Sequence, residues 1–471
     1  MDPAVEPAEE VAPSIVSEPP LRSVVSDACV LTLCRRSGSA KIGLHLTKAA
    51  GADQPPVISS VENGSLAHAH SELKSGARIL AISHASGSFT PPTAEEAAEL
   101  FESSEGTLTL TVMPLLDRWG FIIDADADKQ REGSSRLDTR RLNAQLRKWE
   151  KRIGSLGAWE RYTAKKPEKL HLRIRQGVPD PVRGFVWKAL AASRAPPNFR
   201  RDGLYQRLCE GPGLERVLPE TLTQIDKDVP RTLTGHIFFR GGGKRGQQAL
   251  ARVLRAYAAY NPQLGYTQGM ASYAAVLLLY LDEEDSFWVF AFLVEGCRLV
   301  GLFSDGFPLL HVYFDRWEEL LRRRLPRLAR HVQRELSSFL GMPASYRELK
   351  AQDDPSRYIL PSVYVTPWFQ AMLVGGDHPA PSALAPRIMD NLLITGNAGA
   401  IFSVGLAMLK RQQRALLKLR ADALILGLKQ LPRTFGDTTR LMRHALEMDI
   451  NEVELGKPPD GMELPVGSFE L

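Results

Sequence analysis

The apolar residues of this chain change their spacing once, and that change limits what it can fold into. Up to about residue 114 they alternate. Ile42, Leu44 and Leu46 are separated by Gly43, His45 and Thr47, the period-2 pattern of a half-buried strand. Val30, Leu31 and Leu33 start another strand, and Val57–Val61, Arg78–Ile82 and Leu108–Val112 read as three more. One helix interrupts them, with Thr93 as N-cap, Glu95 and Glu96 in its first turn, then Ala97, Ala98, Leu100 and Phe101. Residues 23–114 therefore read as a small α+β domain of the partly open β-barrel kind. Beyond residue 145 the spacing is helical. In Gln247–Tyr260, Leu250, Val253, Leu254 and Tyr257 share one face, and Asn261-Pro262 ends the segment. The same pattern recurs at Phe287–Leu299, Tyr313–Leu325, Leu384–Leu393, Ala398–Leu419 and Thr438–Glu447. Residues 146–450 read as all-α.

The remaining segments are connectors and tails. The acidic, Pro/Ala-rich residues 1–22 cannot bury enough apolar surface to offset chain entropy and read as disordered, with no signal-peptide pattern. Residues 115–145 read as a charged linker and 451–471 as a tail. Within the linker, Asp124, Asp126 and Asp128 fit the start of a calcium loop, but Lys129 and Ser135 stand where Gly and Glu are needed, so a solvated acidic loop is the reading. The longest apolar run, Gly269 to Leu281, falls short of the ~20 residues a membrane span needs and reads as a buried helix. Arg322, Arg323, Arg324, Arg327 and Arg330, interleaved with Leu321, Leu325 and Leu328, read as an amphipathic helix with a solvated face rather than a nucleic-acid stripe.

Composition excludes other classes. The chain is 44% apolar and 24% charged, with a net charge of +5 over 471 residues, too mild to imply nucleic acid. Cys29, Cys34, Cys209 and Cys297 make no metal spacing, which suits a reduced intracellular setting. No metal-ligand cluster and no nucleophile elbow occurs. Gly241–Gly246 lacks the spacing and hydroxyl of a phosphate loop and reads as a flexible loop.

Three motifs stand in order along the helical part. Arg175-x-Gly177-x-Pro179 is followed by Arg183 and Trp187; Ile225 to Arg231 reads IxxDxxR through Asp228; and Gly265-Tyr266-Thr267-Gln268-Gly269 reads YxQ between glycines. Together they resemble the TBC domain, the GTPase-activating module for Rab-family small GTPases, over about 170–420. Asp117-Arg118-Trp119-Gly120-Phe121 resembles the D-R-Y-G-F segment ahead of many such domains. Trp368-Phe369, Arg387-Ile388-Met389-Asp390 and Phe402–Leu409 resemble later family motifs, with Met389 for Trp and Pro367 where Gln is commoner.

The resemblance implies that Arg231 and Gln268 act as fingers in trans. GTP hydrolysis needs charge stabilised on the transferring phosphoryl group and a water aligned for attack. An always-charged, fork-shaped guanidinium suits the first, and a carboxamide that both accepts and donates suits the second. Pro230 is expected to keep the backbone irregular so that Arg231 projects. Asp228 is expected to orient Arg231 or its loop, and Gly265 and Gly269 to let the backbone approach a partner closely; Ile225 and Tyr266 are supporting motif residues. Arg175, Gly177, Pro179, Arg183, Trp187 and Asp390 read as structural, capping and packing helices around the site. The resemblance implies no cofactor and no metal of the chain's own, since GTP and Mg belong to the partner.

The first domain resembles a PDZ domain. Lys41-Ile42-Gly43-Leu44 stands at its carboxylate-binding loop, where successive backbone N–H groups can cradle a terminal carboxylate. Val57–Val61, Gly64–Ala67 and Leu73–Leu80 follow the family order, with Ala77 for the usual Asp and Pro91-Pro92 lengthening the approach to the helix. Leu44, Leu46 and Phe101 would form the pocket, and Ala94 opening the helix implies an apolar ligand end. The chain's own Phe469-Glu470-Leu471 has that pattern: Leu471 would enter the pocket with its carboxylate on the Gly43 and Leu44 N–H groups, the alternative being a Leu end by chance. A PDZ fold that binds nothing is the alternative.

The combined reading is a cytoplasmic, multidomain Rab activator of vesicle traffic, peripheral on endomembranes through its Rab and targeted or regulated by the PDZ domain. The rival is a non-catalytic Rab-binding scaffold. The sequence does not name the Rab, the peptide or the membrane.

Overall fold

The computed structural model describes residues 28–35, 41–48, 55–70, 72–85, 87–90, 92–103, 106–117, 120–125, 144, 146–149, 156–210, 212–240, 245–342, 346–375, 383–448, 450 and 452–455. The tail 1–22, Arg118, Trp119, Asp126, Asp128, Lys129, Ser135, residues 241–244 and Phe469-Glu470-Leu471 lie outside these.

The alternating segments form an antiparallel sheet of β1 (Cys29–Arg35), β2 (Leu44–Thr47), β3 (Val57–Val61), β4 (Arg78–His84), β5 (Gly87–Phe89) and β6 (Gly106–Met113). The order is β1-β6-β4-β3-β2, with β5 paired to β4 alone. β5 is absent from the sequence reading, because three residues are too few to show a period. Helix α1 (Ala94–Ser103) begins with a reciprocal cap: Thr93 Oγ1 accepts from the Glu96 N–H at 3.1 Å, and the Glu96 carboxylate accepts from the Thr93 N–H at 2.7 Å. Leu33, Ile42, Ile58, Ile79, Ala97, Phe101 and Leu110 fill the space between helix and sheet.

The described residues from 156 onward are mainly helical, around one large core. The helices that frame the site are α2 (Asp180–Arg194), α3 (Pro219–Asp228), α4 (Arg245–Tyr260), α5 (Met270–Leu278), α6 (Glu283–Gly296), α7 (Pro308–Arg324), α8 (Ile359–Gln370), α9 (Leu384–Thr395) and α10 (Gly399–Leu416). Every residue of α5 is buried, as an apolar helix without a polar face must be. The acidic residues after it open α6, whose N-cap Asp282 accepts from the Asp285 N–H at 2.8 Å. The basic stretch is two helices, not one. Pro326 cannot continue the ladder of α7, so the chain breaks at Leu325 and restarts as Pro326–Phe339. Nor is all of that face solvated: Arg322 pairs with the buried Glu318 at 2.9 Å and lies over the Tyr346 ring.

The first part of the connector is built into the fold. Asp117 and Phe121 close a tight turn: the Asp117 N–H donates to the Phe121 carbonyl at 2.8 Å and Asp117 Oδ1 accepts from the Phe121 N–H at 2.9 Å. The Ala125 N–H donates to the Ser75 carbonyl at 2.9 Å on the sheet side. The Ile122 N–H donates to the Gly235 carbonyl at 2.8 Å on the helical side. Among the described residues no helix is long and apolar enough to cross a membrane, and no cluster of three or more His, Cys, Asp or Glu could hold a metal ion.

Candidate functional site

Helix α3 runs into a 3₁₀ turn, Val229–Arg231, before the chain turns extended at Thr232. Pro230 sits at the start of that turn, where its missing N–H costs nothing, so the backbone at Arg231 is a tightened helix end and not the irregular segment the sequence implied. This geometry stacks residues three apart. Arg231 Nη2 donates to Asp228 Oδ1 at 2.5 Å; the arginine side chain is 57% exposed and the aspartate 3%. Gln224 Nε2 donates to the same oxygen at 3.1 Å, and Tyr266 OH donates to Oδ2 at 2.7 Å. Burial, reinforced by the Asp228 carboxylate, pushes the Tyr266 phenol well above its usual range, so it stays a donor. The backbone carbonyl of Asp228 takes the Thr232 hydroxyl at 2.8 Å. Ile225 is fully buried and anchors α3 to the core.

Gln268 stands opposite, at the mouth of α5. It is exposed, and among the described residues its carboxamide has no hydrogen-bond partner. Its neighbours are fixed. Thr267 Oγ1 donates to the Phe303 carbonyl at 2.6 Å, and Gly269 adopts φ +108°. A Cβ at Gly269 would lie 2.4 Å from the Gln370 carbonyl oxygen, so the close approach it permits is to the end of α8 and not to a partner. Gly265 donates its N–H to the Asn261 carbonyl at 2.8 Å, closing the turn after α4.

Arg231 and Gln268 line one open cleft of about 340 Å³, together with Asp228, Thr232–Gly235, Ser272 and Phe121. Phe121 comes from the connector. The sequence singled it out only as part of a family-like segment. Thr232–Gly235 and Ser272 carry no sequence signal.

The first motif lies behind the cleft. Asp390, fully buried on α9, accepts from the Val178 N–H at 3.1 Å, Arg183 Nε at 3.1 Å and Trp187 Nε1 at 2.8 Å. Burial alone would lower the Arg183 pKa, but Asp390, with Tyr280 and Asp180, outweighs it and keeps the guanidinium charged. Pro179 is the N-cap of α2, and the Gly177 N–H closes the helix Pro167–Gln176 onto the Arg173 and Ile174 carbonyls. Arg175 lines a separate cavity with His171 and Asn391.

In the sheet domain, β2 is an edge strand facing α1. Leu44 and Phe101 are buried and Leu46 is half-buried against the same core, with half-buried Ala94 at the helix start. Gly43 has φ +72°, and a Cβ there would meet Ser65 at 2.3 Å. The carbonyls of Lys41, Ile42 and Gly43 accept from Leu66, Ala67 and Glu62. Among the described residues the Ile42 and Gly43 N–H groups have no partner.

A family model of the Rab-GTPase-TBC domain matches residues 180–417, just over half of the chain. The chain belongs to the Rab-GTPase-TBC domain family. A PDZ domain model matches residues 31–113, the β-sheet region ahead of the TBC domain. TBC1 domain family member 10B of Homo sapiens is 29% identical over 307 residues, covering 65% of this chain and 33% of that protein. Member 10A of Mus musculus is 29% identical over 308 residues, covering 65% of this chain and 54% of that protein. The chain thus spans a third to about half the length of these relatives. The crystal structure of the Chlamydomonas flagellar RabGAP TBC domain superposes with a TM-score of 0.50 at 24% identity, covering 71% of this chain and 99% of that one, a likeness of fold.

Proposed function

We propose that this protein accelerates GTP hydrolysis on a Rab-family small GTPase by placing Arg231 and Gln268 in the partner's nucleotide site. One observation carries the reading: a largely exposed arginine, anchored on a buried carboxylate, shares an open cleft with an exposed, unpaired glutamine. In the complex, the Arg231 guanidinium takes up charge developing on the transferring phosphoryl group, and the Gln268 carboxamide orients the attacking water. Asp228 holds Arg231 within reach. GTP and Mg are the partner's, and the TBC domain needs no cofactor of its own. Membership of the family fits a role in vesicle traffic, in the cytoplasm and on endomembranes through the Rab.

The PDZ groove between β2 and α1 takes a C-terminal peptide with an apolar end, its carboxylate received by the free N–H groups of Ile42 and Gly43. The chain's own Phe469-Glu470-Leu471 is a candidate. Titration of the full chain with a VGSFEL peptide should show binding that the amidated peptide lacks; equal binding of both removes the carboxylate-cradle reading.

The test of the main reading is single-turnover GTP hydrolysis across a panel of Rabs. Arg231→Ala should slow the stimulated rate by about 10³-fold or more with Rab binding retained. Gln268→Ala should cost nearly as much. An activator unaffected by Arg231→Ala overturns the arginine assignment. A wild-type chain that binds a Rab without stimulating it is the non-catalytic scaffold instead.

A further inference from the structure

The segment that follows Arg231 is held from outside the helical domain. Thr232–Gly235 lines the cleft beside the finger, and Leu233 sits in it with φ +46°, a conformation costly for a branched side chain and kept only where the surroundings impose it. One end of the segment is fixed by Asp228. The other end is fixed by Arg240. Its Nε donates to the Thr234 carbonyl at 2.7 Å, while Nη1 of the same guanidinium donates to both carboxylate oxygens of Glu72 at 2.8 and 2.9 Å. Glu72 belongs to the PDZ domain, in the turn before β4, and its side chain is only 5% exposed. A carboxylate so buried needs a charged, hydrogen-bonded partner, so the pair locks both members in place. The connector adds a second tie: Ile122 and Gly120 exchange backbone hydrogen bonds with Gly235 and Ile237, and the Phe121 ring packs edge-on against His236 at 4.8 Å.

We propose that Arg240, clamped by Glu72, is a positioning residue for the Arg231 segment, so that the PDZ domain is a structural part of the activator's site. This rests on the Rab-activating reading above. An arginine is required, because only a guanidinium can serve a carbonyl through Nε and a carboxylate through its outer nitrogen at once. Losing the clamp frees Thr234, relaxes Leu233 and widens the range of positions available to Arg231. The cost falls on the chemical step, because the finger's contact with the partner matters most in the transition state.

The experiment uses the full chain with Glu72→Ala, the near-isosteric Glu72→Gln and Arg240→Lys, each assayed well below its unfolding midpoint. Two quantities are read: kcat and KM for GTP hydrolysis on the Rab that responds best, and hydrogen–deuterium exchange of the amides of 232–237. Glu72→Ala and Arg240→Lys should lower kcat about tenfold with KM within about twofold, Glu72→Gln less. Exchange over 232–237 should rise while that of α5 stays unchanged. If Glu72→Ala does not fold, Glu72→Gln and Arg240→Lys decide. Unchanged kcat, or a fall in kcat without faster exchange in 232–237, overturns the inference. If the wild-type chain stimulates no Rab, the functional reading fails separately. The exchange data alone then uphold or overturn the tether.

Discussion

Replacing Asp228 separates the anchor of the finger from the finger itself. Asp228→Ala removes the acceptor for Gln224, Arg231 and Tyr266 at once. The largely buried Tyr266 phenol is left without its partner, which costs roughly 1–3 kcal/mol of stability. The ion pair itself adds little, up to about 1 kcal/mol, because the Arg231 side chain is 57% exposed. The effect on rate comes from ordering. An unanchored Arg231 must be immobilised anew in each transition state, at about 1–2 kcal/mol, which is roughly a 5- to 30-fold fall in kcat. That is far smaller than the about 10³-fold expected on losing the guanidinium. In a phosphate-release assay on a responsive Rab, Asp228→Ala should therefore lie well above Arg231→Ala. Asp228→Asn should lie between Asp228→Ala and wild type, since one acceptor oxygen remains. The double variant should match Arg231→Ala alone, because nothing is left to orient. Asp228→Ala falling as low as Arg231→Ala, or the two losses multiplying in the double variant, would refute the anchoring role.

Two further outcomes are expected. Gly269→Ala places a Cβ at φ +108° against the Gln370 carbonyl; it should cost about 2 kcal/mol or more in thermal unfolding and displace Gln268, lowering the stimulated rate as well. Equal stability of the variant would contradict the packing at the end of α8. Burial, only partly offset by Asn261 and Tyr257, raises the Glu295 pKa from the ordinary 4.5 to about 7, and its Oε2 has no partner. The folded chain thus holds this proton where the unfolded chain has lost it, so the contribution of Glu295 to stability is full below about pH 4.5 and lost as pH rises through about 7. The gap corresponds to roughly 3 kcal/mol. Glu295→Gln should gain stability relative to wild type as pH increases from 5 to 8, read by thermal unfolding at each pH. A pH-independent difference would show that Glu295 ionises normally.

Much of the molecule is legible in the sequence because its cues are local. The alternation of Ile42, Leu44 and Leu46, the N-cap at Thr93 with Glu96 in the first turn, and the predominantly apolar run of α5 each arise from neighbours along the chain. The residues lining the cleft are legible in part: IxxDxxR and YxQ are short, ordered motifs. What escapes is what only distance in the chain creates. Glu72 and Arg240 are 168 residues apart, and neither has a pattern that announces the other. Phe121 is legible only as part of a family-like segment in the linker, and nothing in the sequence brings it to the cleft wall. The break at Pro326 was present as a residue type, yet the even leucine–arginine spacing on either side masks it.

The Asp390 network has a consequence for how the protein is made. The carboxylate that satisfies Val178, Arg183 and Trp187 lies 203 to 212 residues further along the chain. At ribosomal rates of about 5–20 residues per second, roughly 10–40 s pass between the synthesis of Trp187 and that of Asp390. Through that interval Arg183 has no acceptor on α9, and the apolar face of α2 has no α9 to cover it. The nascent chain therefore carries this half of the helical domain open, with apolar surface exposed until α9 has been made. A premature stop ahead of Asp390 leaves a complete sheet domain followed by helices that cannot close.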